Sequence, residues 1–174
     1  LLDYTSGETK DTESRVIIDE LKALLLKARP KVIYTHNLAD KHDTHISVTM
    51  RLIVALRELA PEYMPEKVYG CEVWRGLDWM MDHEKCYFDV SGHPSIAAAI
   101  LGVHDSQIVG GKRYDLATAG RRLANATYAD SHGTDKADQM AVAMDITPLI
   151  ENPEMDVNAF VQTFIQRFAE DVAG

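Results

Sequence analysis

Between Val16 and Leu59 the hydrophobic period changes twice, and this constrains the fold more than any other feature of the chain. Val16, Ile17, Leu21, Leu24, Leu25 and Ala28 recur at steps of three and four, the spacing that lines one face of a helix with apolar side chains. Pro30 predicts its end. Val32-Ile33-Tyr34-Thr35 then concentrates β-branched and aromatic residues in a short run, which predicts a strand; the helix directly before it predicts that this strand is parallel and central. A polar loop from His36 to Thr44 follows. Helical spacing returns through Ile46, Met50, Ile53, Val54, Leu56 and Leu59 and stops at Pro61. Helix, strand and helix in this order point to an α/β layer fold.

The rest of the chain extends the pattern. Lys67 to Trp74 predicts a second strand and Cys86 to Val90 a third, while helices are expected over Ile96 to Val103, Tyr114 to Tyr128 and Val157 to Val172. Thr5 to Glu13 contains no apolar residue and predicts a surface loop, with Ser14 as the N-cap of the first helix. No repeat, low-complexity run or shift in composition marks a boundary, so residues 1–174 form a single domain. A buried parallel strand needs a hydrogen-bonding neighbour on each side, yet nothing before residue 31 reads as a strand. The opening strands are therefore expected from a preceding segment or from another chain. The start on Leu1-Leu2-Asp3, without methionine, fits a piece of a longer protein.

Composition narrows the function classes. At 46% hydrophobic and 26% charged residues, the 174-residue chain has the make-up of an ordinary globular domain. Its 18 basic and 27 acidic residues leave a net charge of −9, which disfavours nucleic acid and anionic membrane surfaces as partners. No stretch approaches the roughly 18 consecutive apolar residues of a membrane span, and no signal-peptide pattern opens the chain, so a cytoplasmic location is expected. Cys71 and Cys86 lack both a disulfide framework and metal-knuckle spacing and are expected as reduced, packed thiols.

Three of the seven histidines, His36, His42 and His45, fall within ten residues, in the loop that follows the first strand. In an open α/β sheet the carboxyl ends of the strands are where ligands bind, so this loop lies where a site is expected. His42 and His45 are three apart at a helix start and share one face. Imidazole is a good zinc ligand, and a neighbouring carboxylate can orient the ring through its second nitrogen. A solvated helix start rich in Asp, Thr and His would show the same spacing, so His-x-x-His alone decides nothing. His83, His93, His104 and His132 are isolated, and no second cluster supplies further ligands.

Arg29-Pro30-Lys31-Val32-Ile33-Tyr34-Thr35-His36-Asn37, followed by Asp40-Lys41-His42-Asp43-Thr44-His45, resembles the middle of the PIG-L/LmbE family of zinc-dependent de-N-acetylases. Tyr69 to Arg75, Phe88 to Ser91, His104 to Gln107 and Tyr114 follow in the order typical of that family, so the resemblance runs from the first helix to Pro148. It implies a three-layer Rossmann-like fold, with a mostly parallel sheet and flanking helices, that lacks its first strands here. It also implies that His45 ligates zinc, or another divalent metal, and that His42 acts beside the metal as an acid or oxyanion stabiliser. Asp40 or Asp43 would orient His42. Where many members carry Asp just before the ligand histidine, this chain has Thr44.

The family's amino-terminal Ala-His-Pro-Asp-Asp-like motif, which carries two further ligands and the general base, does not occur; His93-Pro94 leads instead into Ser95. The chain is thus expected to be the carboxyl-terminal part of a deacetylase, incomplete for catalysis without its amino-terminal segment. The implied substrate is an N-acetylated amino sugar or a conjugate of one. A catalytically silent α/β module, kept for sugar binding or as a homo-oligomer, is the alternative, and it also accounts for the absent ligands and the unpaired sheet edge. A nucleotide or sugar-phosphate enzyme is weakened by the lack of a Gly-rich phosphate loop after a strand.

Overall fold

The computed structural model describes residues 2–174 and has the α/β character that the changing period predicts. In chain order the elements are α1 (Ser6–Lys10), α2 (Val16–Ala28), β1 (Val32–His36), α3 (Asp43–Arg57), β2 (Lys67–Cys71), β3 (Cys86–Asp89), α4 (Pro94–Gly102), α5 (Ser106–Val109), α6 (Tyr114–Tyr128), β4 (Met140–Asp145), α7 (Pro148–Glu151) and α8 (Val157–Ala173). The first helix of the periodic segment ends at Ala28, two residues before Pro30, and Arg29 between them turns left-handed at φ 46°. Proline disfavours helical backbone in the residue before it, which is why the helix stops there.

The sheet corrects the expectation of mostly parallel pairing and leaves β1 with the open edge that the missing opening strands imply. Its order is β1-β2-β4-β3, with β1 and β2 parallel but β4 antiparallel to both of its neighbours, so the sheet is mixed and mostly antiparallel. β1, expected at the centre, stands at an edge among the described residues, and its Val32 and Tyr34 remain exposed. The antiparallel pairing comes from the strand β4. Met140-Ala141-Val142-Ala143-Met144 is rich in alanine and methionine, which favour helices, and it follows a helical stretch, so its sequence gives a weak strand signal. Burial between two neighbours overrides that preference: Ala143 and Met144 are fully enclosed.

The core lies against one sheet face, where Val68, Val142 and Met144 meet Leu52, Ile53 and Leu56 of α3, Leu149 of α7 and Val161 of α8. Ile53, Leu56, Val68 and Met144 are at most 1% exposed. Each fully buried side chain of this kind contributes about 1.5–3 kcal/mol. The residues alternating with them, Tyr34 and Tyr69, stack on the opposite face at 5.6 Å, with Phe88 edge-on to both. The polar opening segment is not a plain loop. Thr5 and Glu8 form a reciprocal capping box that starts α1, and Arg15, rather than Ser14, occupies the N-cap position of α2, with no side-chain capping bond. Arg51 of α3 reaches back from the buried side to bond carbonyls of this opening segment.

Candidate metal centre

The site begins with the way the chain leaves β1. Asn37 is fully buried, donates its backbone N–H to Cys71 O at 3.0 Å and accepts Ala39 N–H on its own Oδ1 at 2.7 Å, so its amide folds the chain back as a local turn. Gly70, beside it on β2, has no side chain to hold the turn away. A Cβ there would lie 3.3 Å from both Asn37 Cα and His36 O. Thr49 of α3 donates to His36 O at 2.8 Å, which leaves Thr35 as donor in the 3.0 Å bond between the two threonine hydroxyls. These bonds fix the start of α3 over the end of β1.

Three expected site residues, Asp40, His42 and His45, are thereby brought together with His36. The rings of His36 and His45 stack at 4.0 Å, nearly parallel at 7°, and His42 lies 4.9 Å from His45. Asp40 is buried beneath them, its side chain only 3% exposed. Its Oδ1 accepts the His42 backbone N–H at 2.8 Å and lies 3.3 Å from His42 Nδ1 and 3.1 Å from His45 Nδ1. Burial pushes the Asp40 carboxyl up, but the His42 N–H and the two imidazoles outweigh it and hold the group below the usual carboxylate range. Burial, reinforced by the neighbouring His45, lowers the basicity of His36 and favours the neutral ring a metal requires.

One donor atom from each of His36, Asp40 and His45 lies within 4.8 Å of the others, the only such group of metal-ligating side chains among the described residues. His45 Nδ1 is buried and, despite its 3.1 Å approach to Asp40, makes no hydrogen bond of acceptable direction. Two donors that close without a proton aligned between them fit ligands of a common ion. Bonds of about 2.0–2.2 Å at the tetrahedral angle place donor atoms about 3.3 Å apart. The residues therefore fit a small divalent metal. Sequence reasoning expected His45 as ligand and Asp40 as a partner of His42. It assigned no role to His36, whose place as the last residue of a strand was the available signal. Asp43 and Thr44 stand outside this donor group, and His83, His93, His104 and His132 do not join it.

The turn after β2 packs against the histidine loop. Glu72 is buried, and its Oε2 accepts Leu77 N–H at 3.1 Å and Trp79 Nε1–H at 3.3 Å, which stabilises left-handed backbone at Gly76 and Leu77. Burial raises the Glu72 carboxyl above its ordinary value. The turn presents Trp74 at 5.1 Å from the His42 ring, with Tyr114 of α6 edge-on to the indole at 5.7 Å. Arg75 Nη1 donates to Ala39 O at 2.8 Å and ties the turn to the histidine loop.

Comparison of the chain with family models, curated proteins and solved structures finds no match.

Proposed function

We propose that the chain carries part of the active site of a metal-dependent de-N-acetylase acting on an N-acetylated amino sugar or its conjugate. The observation that supports this best is the convergence of His36, Asp40 and His45 on one small volume, with His42 at its open side. His45 and Asp40 would hold the metal, with His36 as a third donor. Zinc bound there would lower the pKa of a water molecule and polarise the acetamide carbonyl. His42 stands ready as the acid. Its Nδ1 lies 3.3 Å from Asp40 Oδ1, which orients the ring and leaves Nε2 free to hydrogen-bond the carbonyl oxygen as charge develops there and to pass its proton to the leaving amine. Acetate and a free amine are the products.

The base that takes the water proton and the remaining ligand are assigned to an amino-terminal segment preceding this chain. The exposed edge of β1 and the uncovered Tyr34 support that assignment, since a strand added parallel to β1 would bring its carboxyl end beside His36. Such strands would extend the mixed sheet toward a three-layer Rossmann-like fold. Among the described residues no helix is long and apolar enough to cross a membrane. Cys71 and Cys86 are both unbridged; each pairs in register with Ala143 from opposite sides, about 9–10 Å apart across two strand spacings, too far for a disulfide. Free thiols suit the reducing cytoplasm, where we place the protein.

Metal analysis tests the reading. The protein should carry about one equivalent of zinc, lost in His45→Ala, and should release acetate from N-acetylglucosamine conjugates once the preceding segment is present. Absence of metal in that longer protein would refute the deacetylase and support a silent binding module.

A further inference from the structure

α4 is apolar yet contributes nothing to the core. No residue from Pro94 to Gly102 is buried, and the stretch from Val90 to His104 holds no Asp, Glu, Lys or Arg, although 26% of the chain is charged. Ile96, Ala99, Ile100 and Val103 stand at the i, i+3, i+4 and i+7 positions of one helix face, and all four are exposed. α6, against which both α4 and α5 pack, repeats the arrangement: Leu116, Ala119, Gly120 and Leu123 have the same spacing and are exposed too. A helix facing water carries polar side chains at these positions, whereas apolar ones belong to a helix packed against a neighbour. With Val109 of α5, the large side chains of the two stripes leave on the order of 600–700 Å² of apolar surface open, above the roughly 300–600 Å² of the largest patch on a typical monomer.

We infer that α4 and α6 form an interface through which the chain pairs with a second copy of itself. Charge selects that partner. Between Val90 and Tyr128 there are four basic residues and two acidic ones, while the whole chain carries −9, so two copies meet here without the repulsion that their remaining surfaces impose. Area agrees, since the open apolar surface approaches the roughly 800 Å² that each partner contributes to a stable interface. Shape is self-complementary: each stripe sets large side chains, Ile100 and Leu123, directly beside small ones, Ala99 and Gly120. A Cβ at Gly120 would meet nothing within 4 Å, so this position is a gap that a large side chain of the other copy can fill under a twofold axis. The preceding segment is assigned elsewhere, to the open edge of β1, two strands from the β4 on which α6 packs. The pairing does not depend on the deacetylase reading.

Sedimentation equilibrium of the whole chain from about 1 to 100 μM tests this. The chain should sediment as two copies with a Kd below about 10 μM, and the pairing should not weaken as salt rises, because apolar surface rather than charge holds it. The Ile100→Lys/Leu123→Lys double variant should remain a monomer up to about 100 μM with unchanged circular dichroism, since both side chains lie outside the core. Val16→Lys, at an equally exposed apolar position on α2, should pair as the unaltered chain does. A monomer across the whole range overturns the proposal, as does pairing that survives the double variant or is lost equally in Val16→Lys. A monomer that binds phosphatidylcholine vesicles also overturns it and assigns the face to a lipid surface. The longer protein that carries the preceding segment should pair as well; if it is a monomer, that segment is the occupant and the second copy is not. None of these readouts involves metal or acetate, so the pairing and the deacetylase reading fail separately.

Discussion

Replacing Arg51 by methionine should weaken the fold by an amount that follows from its bonding. Arg51 is 7% exposed and, among the described residues, has no carboxylate partner; its charge is satisfied by main-chain oxygens of the opening segment. Nε donates to Thr9 O and Nη1 to Ser14 O, both at 2.7 Å, while Nη2 donates to Asp11 O and, at 3.4 Å, to Glu8 O. Three of these are strong, and each charge-assisted bond is worth about 1.5–3 kcal/mol net. Against this stand the hydration the freed carbonyls regain on an exposed segment and the rotamer freedom of about 2 kcal/mol that the ordered arginine gives up in the native fold. The expected loss is about 3–4 kcal/mol. Urea denaturation of Arg51→Met should show the midpoint falling with an unchanged slope, and amide exchange should show α1 losing protection before the sheet does. Arg51→Lys should recover only part of the loss, because one ammonium cannot span all four oxygens. A loss below about 1 kcal/mol with α1 still protected would refute the view that this arginine fastens the opening segment.

Three further outcomes are expected. Asp40→Asn keeps the size of the side chain but removes the charge beneath the imidazoles, and should lower zinc affinity by at least the roughly 10–100-fold that loss of a mere ligand-orienting partner gives, in competition with a chelator, while circular dichroism stays unchanged. Leu56→Ala, at a position with no exposed surface, should cost about 2–5 kcal/mol in chemical denaturation through the cavity it leaves. Burial, helped by Asp82 and Asp78, pushes Tyr87 up to about 12. An alkaline difference spectrum should thus show one tyrosine ionising near that pH. Because the folded value lies above the unfolded one, Tyr87 should draw stability from the protein as pH rises from about 10 to about 12 and have no such effect at neutral pH.

Periodicity located the elements well where packing and propensity agree. The helix Tyr114–Tyr128 matches its expected limits, and Val32–His36 exceeds its predicted run by one residue. It failed where they conflict. β4 is built from helix-favouring residues and is a strand only because β2 and β3 enclose it, information that lies far away in the sequence. Without β4, the direction of the sheet could not be inferred. The site shows the same division. His42 and His45 stood out because three-residue spacing on a helix is a local relation, whereas the stacking of His36 on His45 depends on how α3 sits over β1. The Thr49 bond to His36 O that fixes this joins residues 13 apart and leaves no mark in any short motif.

Gly70 has a consequence for how the site can vary. It belongs to β2, contributes no atom to the chemistry, and faces the histidine loop across a gap that even one methyl group would crowd. A larger residue there would push Asn37 outward and lift His36 off His45, so a substitution one strand away would change the spacing of the donors before it changed the fold. In a library of variants selected for metal retention, this position should tolerate fewer replacements than Asp43 or Thr44, which adjoin the histidines in sequence but stand outside the donor group.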